Sequence, residues 1–214
     1  SSAQTSEDRI TPVSLDKAGA ETLAIAMVAD PSIFQEAEFI ANPPAGTPHG
    51  ISSSLSYFPT NGSDFGILTT GNVRFADQEN DSDKTGDDLG GHTIPGHGQY
   101  TSDATILKLE LFAPEETSCL LFDFAFYSEE YPEYIGQGFN DTFIAQLDDN
   151  TWIANNDVYT PSNFAFDPDG NPISVNSTGI TSMSASHAVG TTYNGATTLL
   201  QAAIPTTPGA HDLY

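Results

Sequence analysis

The sequence is poor in cysteine, in basic residues and in long apolar runs. Cys119 is its one cysteine, which excludes an internal disulfide and a zinc site built on several thiolates. Only 5 lysine and arginine residues stand against 29 aspartate and glutamate residues. That balance leaves no basic surface for nucleic acid or an anionic membrane. No stretch approaches the roughly 20 apolar residues of a membrane span, so we expect no membrane insertion.

What is there is the composition of an acidic folded domain. The formal net charge is -24, yet 38% of the residues are hydrophobic, which is too many for a disordered acidic tail. Self-repulsion of that size opposes folding unless cations neutralise part of it. The chain opens on small polar residues, as a mature protein does after signal-peptide removal. We therefore predict a secreted, extracellular protein associated with the cell surface.

Strand patterns dominate after one helical segment. Residues 1–13 are expected to be a flexible leader, and residues 14–214 a single domain. Apolar residues recur at helical spacing from Ser14, the predicted N-cap, up to Asp30-Pro31. Short apolar segments follow, with turn residues between them about every 8 to 12 positions. This pattern predicts a mainly β fold, a jelly-roll-like β-sandwich with one N-terminal helix and long acidic loops.

Two segments carry the clearest strand patterns. Residues 106–112 alternate leucines with charged residues, which indicates a strand buried on one face. Residues 118–127 are apolar at nearly every position, which predicts a central strand buried on both faces. Cys119 lies in this run, so its thiol is expected to be buried and inert.

The densest acidic cluster follows the second of these strands. Five residues that offer oxygen ligands lie in one connection with glycines that allow it to curl: Glu129, Glu130, Glu133, Asn140 and Asp141. Calcium takes six to eight oxygens at about 2.3 to 2.6 Å, and carboxylates and loop carbonyls supply them. A solvated acidic turn is the alternative. Adjacent glutamates at the end of a buried strand repel each other unless a cation pairs them, which favours calcium.

A second acidic segment, residues 80–88, is a further candidate for calcium. Its predicted ligands are Asp81, Asp83, Asp87 and Asp88. Asp81, Asp83, Thr85, Gly86 and Asp87 match the first half of an EF-hand loop, but His92 stands where the bidentate glutamate belongs. The segment is therefore no EF-hand, and a flexible acidic loop is the alternative. Asp167, Asp169 and Asn171 form a weaker candidate, because a hairpin turn explains them.

An enzyme would have to use the same residues. Glu129 or Glu130 with Asp141 would make the carboxylate pair of a secreted carbohydrate hydrolase. Asp30-Pro31 and Asp167-Pro168 are acid-labile bonds, which leaves calcium-dependent self-processing as another alternative. His92 and His97 with Asp88 could bind a transition metal, although exposed loop histidines explain them better. The sequence has no nucleophile elbow, phosphate loop or dinucleotide fingerprint, so a binding module is favoured over an enzyme.

Most of the chain resembles one protein family. The segment Phe126-Tyr127-Ser128-Glu129-Glu130-Tyr131-Pro132-Glu133-Tyr134-Ile135-Gly136-Gln137-Gly138-Phe139-Asn140-Asp141-Thr142-Phe143 closely resembles the central motif of the choice-of-anchor L domain family. Residues 66–73, 172–176 and 193–200 resemble other segments of that family, so the resemblance runs from about Ala20 to the C-terminus. It implies a domain of exported bacterial proteins with no established catalytic activity.

The resemblance also bears on partners. In the family, further strands follow the position of His211 to Tyr214, where this sequence stops. An unpaired sheet edge invites strand addition, so we expect a complementing strand or a C-terminal fragment from another chain. Together these features predict an extracellular calcium-binding adhesion module whose partner is a glycan or a surface protein.

Overall fold

The computed structural model describes residues 9–80, 88–98, 100–154 and 158–214, and it is mainly β. Its two α-helices are α1 (Lys17–Met27) and α2 (Val175–Thr181), with 3-10 helices at Pro31–Ile33, Val73–Phe75 and Ala185–Ala188. Its strands are β1 (Ile10–Pro12), β2 (Phe34–Ala41), β3 (His49–Ser52), β4 (Phe65–Leu68), β5 (Gly91–Thr93), β6 (Tyr100–Ser102), β7 (Ile106–Ala113), β8 (Cys119–Phe124), β9 (Tyr127–Ser128), β10 (Thr142–Phe143), β11 (Ile153–Ala154), β12 (Val158–Tyr159), β13 (Ile173–Ser174), β14 (Gly195–Ala196), β15 (Leu200–Pro205) and β16 (Gly209–Leu213). The prediction of a mainly β fold with an N-terminal helix is confirmed.

The strands form small antiparallel sheets rather than one large sheet. Two sheets have three strands, in the orders β16-β7-β2 and β1-β3-β4. The remaining strands pair as β15 with β8, β14 with β9, β10 with β13, β11 with β12, and β5 with β6. The sheets share apolar cores, an arrangement in keeping with a sandwich.

The first core lies between α1 and the β16-β7-β2 sheet. Leu107, Leu109 and Leu111 of β7 are buried there, as the alternating pattern predicted. Leu23 of α1 is fully buried against them. The sequence pattern of β7 therefore places one face of this sheet against the helix.

Helix α1 begins two residues later than a cap at Ser14 would require. Its N-cap is Asp16, whose Oδ1 accepts a hydrogen bond from the Gly19 N–H at 3.0 Å. The Ser14 hydroxyl donates to the same carboxylate and so supports the cap. The Ser14 prediction was therefore wrong by two positions, because the acidic side chain is the one that reaches the first turn.

Residues 10–12 do not belong to a flexible leader. Residues 10–12 form β1, which pairs with β3, and Ile10 is 2% exposed in a core with Phe65 and Val73. Assigning residues 10–12 to a flexible leader was therefore wrong. A single buried isoleucine and a three-residue strand are too short a pattern to be recognised in the sequence.

Strand β8 is buried on one face only. Leu120 packs against the first core, and Phe122 and Phe124 pack into a second core with Ile173 and Leu200. The other face is open, with Leu121 54% exposed and the Cys119 thiol exposed as well. The predictions of a strand buried on both faces and of a buried thiol were wrong, because β8 pairs with β15 in a two-stranded sheet whose outer face is uncovered in the described residues.

Helix α2 is not evident from the sequence pattern around it. Residues 173–175 carry a β-branched pattern, but β13 ends at Ser174, whose hydroxyl oxygen accepts a hydrogen bond from the Ser177 N–H at 3.2 Å. That capping bond starts α2 at Val175, which is fully buried together with Thr178. Burial in the tertiary structure thus overrides the weak helix propensity of this segment. The helix makes hydrogen bonds to the acidic connection at residues 129–141.

Candidate functional site

The acidic loop, residues 129–141, is fixed at both ends by strand pairing. At its start, Ser128 of β9 pairs with Gly195 of β14. The Ser128 hydroxyl accepts a hydrogen bond from the Glu130 N–H at 3.0 Å. The aromatic ring of Tyr131 lies so close to Gly195 that a Cβ there would stand 2.2 Å from a ring carbon. Glycine is therefore required at position 195 for the loop to leave the sheet along this path.

One residue of α2 holds the far part of the loop. The Asn176 N–H donates to the Asn140 side-chain oxygen at 3.0 Å. The Asn176 side chain accepts from the Gly136 N–H at 2.7 Å and donates to the Gln137 carbonyl at 3.3 Å. Asn140, a predicted ligand, thus already uses its oxygen to receive a backbone hydrogen bond. Helix α2 therefore helps to fix the position of Asn140.

Asp141 is the most strongly perturbed carboxyl group of the loop. Burial, and after it the charges of Glu130, Asp103 and Glu129, raise its pKa to about 7. The causes are desolvation and like charge, so the ionised form of Asp141 is disfavoured by its surroundings. A carboxylate in this position needs a cation beside it or a proton on it.

The pKa of Glu130 is raised as well. Burial raises the pKa of its carboxyl group, although the backbone N–H of Asp141 acts in the opposite direction. One of its oxygens, Oε2, is buried and has no hydrogen-bond partner among the described residues. An orphaned carboxylate oxygen in the interior is costly, and a cation or an ordered water would satisfy it.

Asp103 was not anticipated from the sequence. It follows β6 with a backbone φ of 54°, and its Oδ1 is also buried without a hydrogen-bond partner in the described part of the chain. Burial and the charge of Asp88 raise its pKa, against a hydrogen bond from the Leu89 backbone. No local pattern marks it, because it reaches the acidic loop from a segment far away in the sequence.

Two tyrosines border the same carboxylates. The rings of Tyr127 and Tyr193 lie 5.6 Å apart between centroids. Burial, together with the charges of Glu129 and Asp141, raises the pKa of Tyr193. Burial also raises the pKa of Tyr127, and a side-chain interaction with Ser56 acts in the opposite direction. We call Asp103, Glu130, Asp141, Tyr127 and Tyr193 the acidic cluster.

The other predicted ligands border the acidic cluster, are exposed, or lie outside the described residues. Glu133 is exposed to solvent, so the loop turns it outward. Glu129 lies near Tyr193 and Asp141, and its carbonyl accepts a hydrogen bond from the Asn194 side chain at 2.9 Å. Asp88 is exposed and accepts from the Gly90 N–H at 2.9 Å. Asp81, Asp83 and Asp87 lie outside the described residues.

A preformed centre of three acidic or imidazole ligands is absent from residues 9–80, 88–98, 100–154 and 158–214. A cation at the acidic cluster would therefore combine two carboxylates with backbone carbonyls and water. Such mixed oxygen coordination is ordinary for calcium and uncommon for zinc.

The two histidines considered as transition-metal ligands have different surroundings. His97 is 7% exposed, stacks on Trp152 with 4.3 Å between ring centroids, and hydrogen-bonds the Trp152 carbonyl at 3.0 Å. The expectation of an exposed loop histidine was wrong for His97, because the indole ring covers it. His92 lies in β5 and is half-buried.

The Asp167 turn is a structural feature with its own donors. Asp167 is 5% exposed, and its carboxylate accepts from the Asp169 and Asn171 N–H groups at 2.9 and 2.8 Å. The hydroxyls of Thr181 and Ser182 donate to it as well. Both oxygens are thus occupied by the protein, as the hairpin-turn explanation of this segment anticipated.

These features define an acidic, mainly β module with a partly buried carboxylate cluster. The family model of the choice-of-anchor L domain matches residues 16–211, and the chain belongs to this family. Membership indicates an exported module associated with the bacterial cell surface. No curated protein and no solved structure matches the chain significantly. No helix in the described part of the chain has the length and apolar character needed to cross a membrane.

Proposed function

We propose that this chain is a calcium-stabilised binding module of the bacterial cell surface, with Asp141 and Glu130 as the acidic calcium ligands. The observation that supports the proposal is the burial of several carboxyl groups beside one another, with Glu130 Oε2 and Asp103 Oδ1 left without hydrogen-bond partners in the described structure. A cation supplies the charge and the coordination that these oxygens lack.

Calcium would act by linkage between binding and folding. The carboxylates are brought together by strands and loops that only the folded chain assembles, so calcium binds the folded state. At a hundredfold excess of calcium over its dissociation constant, the free energy of unfolding rises by about 2.7 kcal/mol. For a chain of this size, that gain corresponds to a melting temperature roughly 5 to 10 °C higher.

Thermal unfolding of the chelated protein, with and without added calcium chloride, tests the proposal. Wild-type protein should melt at a higher temperature in calcium than in EGTA, and magnesium chloride at the same ionic strength should have a smaller effect. Asp141→Asn and Glu130→Gln should lose most of the calcium effect. Glu133→Gln is the matched control, since Glu133 lies in the same loop but is exposed.

Two results would contradict the calcium site. The first is an unchanged melting temperature of the wild-type protein between EGTA and calcium. The second is an equal loss of the calcium effect in Glu133→Gln and Asp141→Asn, because general loop acidity would then explain it. Isothermal titration calorimetry of the same variants gives the number of ions bound.

A second candidate function is carbohydrate hydrolysis. The observation that favours it is the pKa of Asp141, about 7, beside a second carboxyl group, since a general acid in glycoside hydrolysis needs such a shift. Reducing-sugar release from a set of polysaccharides, compared between wild type and Asp141→Asn, separates the two functions. Release that depends on Asp141 and persists in EGTA would favour the hydrolase.

Adhesion to a glycan or protein partner, and strand complementation by another chain, are proposals that need experiments of their own. Intact-mass measurement and sedimentation velocity of the purified protein test complementation directly. A companion peptide, or a stable oligomer, supports it. One species of the expected mass that sediments as a monomer contradicts it.

A further inference from the structure

A groove of about 630 Å³ lies beside the acidic cluster. Asp77 and Glu79 line one wall, where the chain leaves the Val73–Phe75 turn of 3-10 helix. Ala185, Ala188 and Val189, from a second segment of the chain, line another wall. It is an open surface groove rather than an enclosed cavity.

Hydrogen bonds join the two walls at separate points. The Thr192 N–H donates to the Ala76 carbonyl at 3.2 Å. Further along the groove, the Asn80 side-chain amide donates to the Asn194 side-chain oxygen at 2.6 Å. Because these hydrogen bonds hold the two walls together, the groove would lose little conformational entropy when a ligand binds.

The apolar wall is held in place from beneath. The Thr191 hydroxyl is buried and donates to the Ala188 carbonyl at 2.7 Å. Val189 follows with 79% of its surface exposed, so its side chain stands open at the groove. A valine this exposed offers apolar contact to a ligand.

The two walls differ in chemistry in a way that selects the ligand. One offers carboxylates and the other aliphatic carbon, and no lysine or arginine is among the described lining residues. Lysine and arginine side chains have the complementary form, an aliphatic stem and a cationic head. We propose that this groove binds a lysine- or arginine-bearing segment of a partner protein. The inference builds on the proposed role as a surface binding module, but not on the calcium site.

A saccharide is the less favoured occupant. Sugars in protein sites commonly lie against an open aromatic face, and Tyr193 is the aromatic side chain that lines the groove. Its ring packs against Tyr127 and the core that contains Phe65 and Val73. The open wall is therefore aliphatic, which suits the stem of a basic side chain.

Fluorescence anisotropy with a labelled pentapeptide that alternates glycine with lysine and arginine tests the proposal. Physiological ionic strength limits attraction by the distant charges of the protein, since the Debye length is then about 8 Å. The double variant Asp77→Asn with Glu79→Gln should weaken binding about tenfold or more. The matched control, Glu115→Gln with Glu116→Gln, removes the same charge from exposed positions outside the groove and should weaken binding less than about threefold.

A second pair of variants tests the apolar wall without touching the carboxylates. Val189→Lys places a competing cation at the groove and should weaken peptide binding about tenfold. Ile180→Lys adds the same charge at a residue that is 71% exposed on α2 and outside the lining, and should have less effect. Both substitutions place a lysine at an exposed aliphatic residue, so they differ chiefly in position.

The outcomes are distinct from those of the calcium experiment. Equal weakening by the groove variants and their controls overturns the proposal, because bulk acidity would then account for binding. Displacement of the peptide by a neutral oligosaccharide such as maltotetraose, or binding of the sugar alone, also overturns it and identifies a glycan site. Peptide binding that depends on Asp77 and Glu79 supports the groove even if calcium leaves the melting temperature unchanged.

Discussion

Asp141 and Asp167 are both acidic residues that burial affects, but their surroundings shift their pKa in opposite directions. Burial raises the pKa of both carboxyl groups, but at Asp167 hydrogen bonds from Thr181, Asn171 and Ser182 outweigh it, and the net pKa is lowered. At Asp141, neighbouring carboxylates add to burial, and the pKa rises to about 7. Burial alone therefore does not decide the charge state of a side chain. The supply of donors decides it.

The comparison separates structural acids from acids that need a ligand. The turn at residues 167–171 and the end of α2 supply all the donors that Asp167 uses, so this carboxylate is complete within the chain. The acidic cluster contains carboxylates and phenols but few donors. We expect substitutions at the two places to have effects of opposite sign.

The largest effect is expected for Asp167→Ala. It leaves backbone and hydroxyl donors of a buried turn without an acceptor, and the free energy of unfolding should fall by about 3 kcal/mol. Urea denaturation measures the change. Asp169→Ala, two residues away at an exposed position, should cost less than about 0.5 kcal/mol. Similar losses in the two variants would show that the hydrogen bonds to Asp167 contribute little.

The contribution of the Asp167 carboxylate to stability should depend on pH. Because the folded-state pKa of Asp167 lies below the ordinary value of 3.8, its contribution is present above that pH and is lost as the pH falls further. The wild-type and Asp167→Asn stabilities should therefore converge toward about pH 2.

The next largest effect, from Asp141→Asn, should be an increase in the free energy of unfolding. In EGTA at about pH 8, Asp141→Asn removes a charge that its surroundings disfavour, and the free energy of unfolding should rise by about 2 kcal/mol. In calcium, the same substitution should lower stability relative to wild type. Chemical denaturation in the two buffers provides the measurement. A destabilised Asp141→Asn protein in EGTA would mean that the Asp141 charge is compensated without a metal.

A smaller effect is expected for substitution of His49, a buried histidine without a compensating charge. It is fully buried, its Nε2 contacts the Asn42 and Thr105 oxygens, and burial lowers its pKa to about 4 from 6.5. Between those pH values the unfolded chain binds more protons, so the histidine makes stability fall as the pH falls. The penalty of His49→Gln should therefore be about 1 kcal/mol smaller at about pH 5.5 than at about pH 7. A penalty independent of pH would contradict the neutral buried state.

The smallest effect is expected for Glu133→Gln. This residue shares the acidic loop with Glu130 and Asp141 but is exposed, so the change in unfolding free energy should stay within about 0.5 kcal/mol. The same denaturation series, in EGTA and in calcium, measures it. A loss in calcium as large as that of Asp141→Asn would indicate general acidity of the loop and contradict the proposed site.

The sequence predicts the parts of this fold that depend on local pattern. Strand β7 is recognisable because alternation places its leucines on one face. Strand β8 was misjudged, because leucine and cysteine on its second face carry the same pattern whether a neighbouring layer covers them or not. Helix α2 was missed because its start depends on the Ser174 cap and on burial of Val175 in the tertiary structure.

The candidate site divides in the same way. The chain segment that holds Glu130 and Asp141 is apparent from the density of acids and glycines in one connection. Asp103, Tyr127 and Tyr193 come from separate segments, and only the folded chain brings them to the same carboxylates. The outward direction of Glu133 is likewise a property of the loop path. The acidic composition therefore predicts the segment, but the side chains that form the site are defined by contacts in the folded structure.

Asn194 contacts both candidate binding regions with one side chain. Its oxygen accepts from Asn80 at the groove, and its amide donates to the Glu129 carbonyl at the start of the acidic loop. If calcium fixes that loop and the side chain with it, the groove and the ion site are thermodynamically coupled. Coupling of this kind is reciprocal: the factor by which calcium tightens peptide binding equals the factor by which the peptide tightens calcium binding. At the cell surface, such a module would hold its partner according to the calcium concentration around it.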